Sequence, residues 1–401
     1  IDAGADTTVD DTRADDLTLD LYRGWRWEPL VDGAFSYDTV TVHADTQVVG
    51  GGGDVTVHAG TLTVQDANWH TTIDGNSGEA LTVYAATVSM SDSDFALSGN
   101  TTFHVTDLAI TNSTIEVGDS YGWTVNSSNT YTHTGGTLNA GVFEINETSD
   151  VTFDGNTTVT AQTIDVAGSA VSVGSGSMLS TDALGYAANS GSGVGGSATT
   201  GGGGGHGGRG GNGRSASNGG DFTDSGLLPS DFGSGGGDGD RSEGGKGGGA
   251  ILVAASGTVN IDGTLSADGS QGGDNSNGAL GGGGAGGTIR IKTDTFAGGG
   301  LLRTNGGRGG QDPTTAGNED GGGGGGGGGR IVVRSKANTF TNATGVEAEG
   351  GPASGGFNPG YAGGRGTVAF IGINAGADTT VDDTRADDLT LDLYRSWRWD
   401  P

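Results

Sequence analysis

The sequence predicts an all-β protein, a parallel β-helix (solenoid) with glycine-rich loops. Short alternating runs rich in Thr and Val recur through the first half of the chain. Strand-like runs in the second half each follow a glycine tract. The opening segment of the chain returns almost unchanged at its end. Alternation with period two indicates strands with one buried face, and no segment shows sustained helical periodicity.

The first half, residues 30–186, is predicted to consist of stacked coils. The intervals between the strand starts Leu81, Phe103, Trp123, Val142 and Thr163 are 22, 20, 19 and 21 residues. One coil cannot bury its own apolar face, but stacked coils share a continuous core. The alternative is an antiparallel β-sandwich, which has similar short strands. The predicted core residues are Val83, Val88, Phe95, Leu97, Val105, Leu108, Ile110, Ile115, Val117, Ile145, Val151, Phe153, Ile164, Val166, Val171 and Val173.

The second half, residues 187–372, is predicted to continue the coils with glycine-rich excursions. Ile251, Ile289, Ile331 and Val368 lie in strands that each follow a glycine tract, at spacings of 38, 42 and 37 residues. Glycine supplies 88 of 401 residues but does not fall at every third place, which excludes collagen. Because glycine lets backbones approach closely, the tracts are predicted to pack as polyglycine II helices. Flexible linkers are the alternative.

The two ends of the sequence are copies of each other. Residues 1–29 and 373–401 differ at three positions, with an offset of 372 residues. We interpret this as a tandem array, in which 1–29 is a junction segment and 373–401 starts the next unit. A recent duplication within one domain is the alternative. The sequence starts at Ile1 without a basic-then-apolar leader, so a signal peptide is expected to have been removed or to lie upstream.

Composition limits the possible partners. The formal net charge is −30, and the only lysines are Lys246, Lys292 and Lys336. Such acidity opposes binding to nucleic acid and to anionic membranes. The absence of cysteine excludes disulfides, thiolate zinc sites and a cysteine nucleophile. The longest apolar run, Ala250–Ala255, is too short to cross a bilayer, so no membrane insertion is expected.

The repeated opening segment is the densest carboxylate region of the chain. Calcium prefers several hard oxygen ligands. Asp10, Asp11, Asp15 and Asp16 are therefore predicted to bind calcium at the junction between units, and calcium is the only cofactor that the sequence suggests. A solvated acidic face is the alternative.

The same segment contains the run LTLDLYRGWRW, and its copy contains LTLDLYRSWRW. Alternation places both tryptophans of a copy on one strand face. Large aromatic side chains are typical interface anchors, so they are predicted to dock one unit onto the next. Stacking on carbohydrate is the alternative. The docking candidates are Tyr22, Trp25, Trp27, Tyr394, Trp397 and Trp399.

No catalytic residue is predicted, and an enzyme is not expected. The sequence has no nucleophile elbow, no HExxH and no zinc-ligand spacing. Some parallel β-helices are polysaccharide lyases or hydrolases, which need carboxylates fixed in one cleft. The aspartates here are spread along the chain without an obvious pair beside a basic residue.

The Thr- and Val-rich coils, followed by GGGGAGGTIRI and GGGGGGGGGRIVVR, resemble the very large repetitive surface proteins of bacteria and some archaea. The glycine tracts also resemble the polyglycine bundles of some phage adhesins. These resemblances imply a secreted fibre or adhesin at the cell surface, and they carry over no functional residue. The expected function is a structural component of an extracellular filament or giant surface fibre whose partner is itself. The alternatives are an adhesin for glycan, ice or another cell, and a polysaccharide-active enzyme.

Overall fold

A computed structural model describes residues 8–10, 18–21, 26–28, 34–42, 47–49, 55–70, 80–146, 150–214, 217–275, 279–311, 321–354, 359–373, 379–385 and 397–400. These residues form an all-β fold with almost no helix. The single helical element among them is a 3-10 turn, Ala343–Gly345. None of their helical segments is long and apolar enough to cross a membrane.

The strands vary in length from two residues to 25. They are β1 (Thr8–Asp10), β2 (Thr18–Leu21), β3 (Arg26–Glu28), β4 (Ala34–Val42), β5 (Gln47–Val49), β6 (Val55–Gln65), β7 (Asn68–His70), β8 (Leu81–Ser91), β9 (Asp94–Leu97), β10 (Thr101–Val117), β11 (Gly122–Asn146), β12 (Asp150–Asp154), β13 (Thr158–Gly168), β14 (Ala170–Val173), β15 (Met178–Ser180), β16 (Ala250–Ala255), β17 (Thr258–Ile261), β18 (Thr264–Ser266), β19 (Thr288–Gly298), β20 (Leu301–Arg303), β21 (Arg330–Asn338), β22 (Val346–Glu347), β23 (Thr367–Ile373), β24 (Thr379–Arg385) and β25 (Trp397–Asp400).

The chain divides into two compact units, one of residues 1–161 and 165–178, the other of residues 162–164 and 179–401. In the first unit each strand pairs in parallel with a strand further along the chain. We use the word rung for each group of consecutive strands that aligns with the following group. Val55 lies opposite Leu81, and Leu81 lies opposite Thr101. Parallel neighbours cannot be joined by a hairpin, so the rest of each rung provides the crossover.

The blocks that open at Leu81, Phe103 and Trp123 are not aligned start to start. Leu81 and Trp123 lie opposite Thr101, and Phe103 lies opposite Val83 and Val125. An offset of two residues leaves the same side chains on the buried face, because strand side chains alternate with period two.

Every predicted core residue, from Val83 to Val173, is buried, and that prediction is confirmed. The strand patterns explain this, since burial alternates along β8, β10 and β11. Trp123, Tyr131, Phe143 and Phe153 are the largest fully buried side chains of the unit. Burying one large apolar side chain contributes about 1.5–3 kcal/mol, so the apolar column is the main source of stability here.

One corner of the first unit repeats from rung to rung. Asp66, Asp92 and Asn112 have φ angles of 51°, 49° and 46°, a left-handed conformation that Asp and Asn tolerate. The next residue in the later two rungs is a buried serine. The hydroxyl of Ser93 accepts a hydrogen bond from Ala67 N (3.1 Å), and that of Ser113 accepts one from Ser93 N (3.2 Å). Side chains thus link successive rungs where strand pairing is interrupted.

The second unit has the strand register that the glycine spacing predicted. Ile251 pairs with Ile289, Ile289 with Ile331 and Ile331 with Val368, all in parallel. All four side chains are buried. The excursions between these strands are therefore insertions between aligned rungs.

Both copies of the terminal repeat contain the same parallel strand pair. In the first unit Val9 of β1 lies opposite Trp27 of β3. In the second unit Val381 of β24 lies opposite Trp399 of β25. β24 also pairs with β23, in the antiparallel direction. One parallel strand pair of the repeat is thus kept at both ends of the chain, while the pairing with neighbouring strands differs.

Candidate functional site: the glycine lattice

The glycine tracts of the second unit are buried and hydrogen-bonded to one another. We call this set of segments the glycine lattice. It comprises residues 201–213, 219–220, 233–237, 244–249, 269–273, 281–287, 306–310, 321–329 and 360–366. The sequence left open whether the tracts are linkers or a packed layer, and in the structure their backbone groups pair across segments.

Segment 281–287 illustrates the arrangement. Three consecutive glycines donate their backbone N–H groups to three different neighbouring segments. The donations are Gly282 to Gly237 O (2.9 Å), Gly283 to Gly324 O (2.8 Å) and Gly284 to Ser270 O (2.9 Å). The next two residues donate to the same neighbouring segments again. Ala285 donates to Ser234 O, in the segment of Gly237, and Gly286 donates to Gly327 O, in the segment of Gly324. A repeat after three residues corresponds to an extended helix with three residues per turn.

Carbonyl groups of the same segment accept hydrogen bonds from three further segments. The acceptances are Gly282 O from Gly245 N (2.7 Å), Gly283 O from Gly204 N (2.9 Å) and Gly284 O from Gly307 N (2.8 Å). Segment 281–287 is thus enclosed by six others. No side chain fits at the glycines of this segment: a Cβ at Gly282 would lie within bonding range of the carbonyl group of Gly202. Ala285 carries the only side chain among residues 281–287, and it is fully buried. Glycine is required here because of close backbone approach.

In some lattice segments side chains recur at every third residue and point away from the packed backbone. His206, Arg209 and Asn212 are spaced by three and face the segment that follows. Their contacts there are His206 Nε2 to Asp224 Oδ2 (3.6 Å), Arg209 Nε to Asp221 Oδ1 (3.6 Å) and Asn212 Oδ1 to Gly219 N (2.7 Å). The same spacing separates Asp268, Gln271 and Asp274, and also Asn305, Arg308 and Gln311.

A buried charge cluster forms where this row meets the loop 221–232. His206 is fully buried, and its Nδ1 lies 2.9 Å from Gly286 O. Asp224 accepts hydrogen bonds from the backbone N–H groups of Ser225 (2.6 Å), Ser230 (2.8 Å) and Asp231 (2.9 Å). Burial alone would raise the pKa of Asp224, but His206 and these N–H groups outweigh it and hold the pKa well below its ordinary value.

Arg330, at the start of β21, completes the cluster. Its Nη2 donates to Thr223 O (2.7 Å) and its Nη1 to Thr367 Oγ1 (2.8 Å). Burial lowers the pKa of Arg330, and the charge of Asp224 opposes that shift. The guanidinium therefore fastens the loop to the strands through the loop's carbonyl groups. The cluster has the character of a structural clamp, because its charges are paired or hydrogen-bonded inside the fold.

A second row of polar side chains lies at the roots of the glycine excursions. Asp182 Oδ1 accepts from Asp268 N (2.6 Å), Asp268 Oδ1 from Asn305 N (2.6 Å) and Asn305 Oδ1 from Glu349 N (2.8 Å). Each side chain thus caps the backbone of the next rung. Burial, with the nearby carboxylates of Asp182 and Glu347, raises the pKa of Asp268 to about 6 against the opposing effects of Asn305 N–H and Arg303.

Sequence reasoning missed this row, because the acidic residues beside Arg303 are separated by tens of residues along the chain. The useful signal was the three-residue spacing inside the glycine tracts. Glycine itself has no collagen period over the whole chain, but in the tracts 206–212 and 305–311 the non-glycine residues fall at every third place. That local period predicts three residues per turn and identifies the side chains that face outward.

The residues predicted to bind calcium or to dock units fall almost wholly outside the described part. Asp11, Asp15, Asp16, Tyr22, Trp25 and Tyr394 lie outside the described residues, and Asp10, Trp27, Trp397 and Trp399 are described only as strand backbone. Their roles stay predictions. In the described part, no three His, Cys, Asp or Glu side chains are grouped so as to hold a metal ion.

The first unit carries a stack of rings on its outer face. The centroids of His58 and Tyr84 are 4.6 Å apart with planes at 9°, and those of Tyr84 and His104 are 4.6 Å apart at 7°. Both faces of the Tyr84 ring are therefore covered by imidazoles. Only ring edges face solvent, which leaves no free aromatic face for a sugar.

No protein-family model, curated protein sequence or solved structure matches this chain. The functional argument therefore rests on the chain's own geometry.

Proposed function

We propose that the chain is a structural unit of an extracellular filament or giant cell-surface fibre, built as a parallel β-solenoid with a polyglycine II flank. The main support is the repetition within the fold: parallel strands pair from one rung to the next in both units, and the glycine segments hydrogen-bond to one another. In the second unit the rung containing Ile289 pairs on both sides, with Ile251 and Ile331. Such a rung is closed on both sides, so a stack of rungs exposes strand edges only at its two ends, where a further unit can add along one axis.

The terminal repeat supports tandem extension with a period of 372 residues. The pairs Val9 with Trp27 and Val381 with Trp399 are the same strand pair at that offset. We propose that the strand with Trp399 continues into further rungs, as the strand with Trp27 does by pairing with β5. The tryptophans would then anchor the junction, and the neighbouring aspartates would bind calcium there.

Composition is consistent with a secreted polymer. A charge of −30 keeps neighbouring fibres apart, and the absence of cysteine removes the risk of random disulfide crosslinks in an oxidising medium. The buried charged groups of the second unit serve as backbone caps and clamps, which fits a structural role.

Electron microscopy of the purified 401-residue chain tests the proposal. We expect long fibres of uniform width, and shorter or fewer fibres when Trp397 and Trp399 are both replaced by Ser. Replacing Tyr84 by Ser, which changes an exposed ring outside the repeat, is the matched control and should leave fibre length unchanged. A preparation of discrete particles at every protein and calcium concentration would contradict a filament role.

A further inference from the structure

The outer surface of the glycine lattice carries exposed aromatic and arginine side chains on three neighbouring segments. Phe222 is 38% exposed and Tyr361 is 58% exposed. Arg209 and Arg365 have side chains that are 62% and 57% exposed, and Arg214 is also exposed. We call these five residues the arginine–aromatic face.

The backbone beneath this face is fixed by the lattice. Gly364 N donates to Arg209 O (2.7 Å), and Tyr361 N donates to Asn212 O (2.9 Å). Segment 361–365 therefore runs beside segment 206–212 and is bonded to it at every third residue. Anchors on a rigid backbone lose less conformational entropy when they bind, so the face is preorganised.

The aromatic rings of the face are individually available. The guanidinium carbon of Arg209 lies 5.3 Å from the centroid of the Phe222 ring, so it covers one face of that ring and holds it in place. This differs from Tyr84 in the first unit, whose two ring faces are both covered.

Arginines are concentrated on this face although the chain as a whole is acidic. Arg209 and Arg365 are paired with the carboxylates of Asp221 and Glu349, and Arg214 adds a third guanidinium group. The whole chain carries −30. A cluster of arginines on so acidic a protein favours an anionic ligand, and the planar guanidinium group matches carboxylate and sulfate oxygens in bidentate fashion.

We infer that the arginine–aromatic face binds an acidic glycan, which adds an adhesive activity to the proposed structural role. The neighbours of Phe222 and Tyr361 in sequence are Asp221, Thr223, Gly360 and Ala362. The two rings are therefore flanked along the chain by polar or small residues, not by the large apolar residues typical of a protein interface core. The C–H groups of a sugar stack on one free face of an aromatic ring, and its hydroxyl and acid groups bind planar polar groups. The arginine–aromatic face supplies aromatic rings for the first contact and guanidinium groups for the second.

Binding to a printed panel of uronate, sialylated and sulfated oligosaccharides, each beside its neutral counterpart, tests the inference. We expect the wild-type chain to bind at least one acidic member, to prefer it to the neutral counterpart, and to lose affinity as salt rises. For that glycan, Tyr361→Ala and Arg214→Ala should each weaken binding about tenfold in calorimetry. Tyr361→Phe should bind within about twofold of the wild type, because the ring remains.

Tyr84→Ala is the matched control, since it removes an exposed tyrosine whose ring faces are already covered. Absence of binding to every panel member at about millimolar glycan would overturn the inference, because useful adhesion requires at least that affinity per site. Equal binding to acidic and neutral members would also overturn it, as would equal losses for Tyr361→Ala and Tyr84→Ala. Fibre formation is measured separately, so failure here leaves the filament proposal intact.

Discussion

Replacing one interior glycine of the lattice by alanine is expected to unfold that part of the second unit. At Gly326 the added Cβ would lie 2.5 Å from the carbonyl carbon of Gly284 and closer still to its oxygen. Ordinary contact begins about 1 Å further out. Neither atom belongs to a flexible side chain, so a whole backbone segment has to move.

The cost follows from the hydrogen bonds that such a movement breaks. Gly326 N donates to Gly307 O (2.8 Å), and Gly326 O accepts from Gly351 N (2.7 Å). A buried backbone group left without a partner costs about 1–3 kcal/mol. Overpacking adds about 1–3 kcal/mol. The sum is about 2–6 kcal/mol if one group loses its partner and about 3–9 kcal/mol if two do, a large fraction of the stability of a typical domain.

Hydrogen exchange of the backbone amides in 281–287 and 321–329 measures this locally. Gly326→Ala should accelerate exchange in both segments. Gly299→Ala is the matched control within the same unit, because the nearest atom to its Cβ is the movable hydroxyl of Thr341 at 3.1 Å. The control should change stability by less than about 1 kcal/mol. If Gly326→Ala keeps wild-type protection in both segments, the close-packing argument is wrong.

Three further changes test individual buried groups. Burial lowers the pKa of His133 from 6.5 to about 4 against a weaker effect of Gly135, so the unfolded chain takes up its proton first as pH falls. The first unit should lose about 3 kcal/mol between pH 6.5 and pH 4 in urea titrations, a slope that His133→Leu removes. Arg330→Met should cost about 1–3 kcal/mol and speed exchange in 221–232, because it leaves the carbonyl group of Thr223 and the hydroxyl of Thr367 without their donor; unchanged exchange there would refute the clamp. Asp268→Asn keeps the acceptor for Asn305 N (2.6 Å) and removes a carboxylate whose pKa is raised to about 6. The folded state binds that proton more tightly, so the carboxylate destabilises the second unit as pH rises through 6, and the variant should be about 1–2 kcal/mol more stable at pH 7 with no gain at pH 4.

The strand core was predictable because its signal is local. Alternation in runs such as Thr101–Val117 specifies which side chains face inward without knowledge of the partner strand. The spacing of Ile251, Ile289 and Ile331 even gave the correct register, because each strand directly follows a glycine tract. In the first unit no such marker exists, and the block that opens at Phe103 is offset by two residues from the block that opens at Leu81, since Phe103 lies opposite Val83.

The polar clusters were not predictable, because their members meet only through the fold. His206 and Asp224 come together since the loop 221–232 turns back along the lattice. Asp182 and Asp268 are separated by 86 residues and meet because each caps the next rung. Neither contact has a sequence signature, since isolated aspartates in a chain this acidic are expected to be solvated.

The lattice also explains which tract residues are free to vary. Its segments bury few side chains, so its stability depends mainly on saturated backbone hydrogen bonds and a separation that only glycine permits. With three residues per turn, a position facing outward recurs at every third residue, as Arg209 and Asn212 do. The intervening Gly210 and Gly211 face carbonyl groups of Gly203 and Tyr361. Substitutions in these tracts can therefore change the exposed side chains and leave the lattice intact only at the positions that face outward. An insertion of one residue would shift the period and turn arginine and aromatic side chains into the packed backbone.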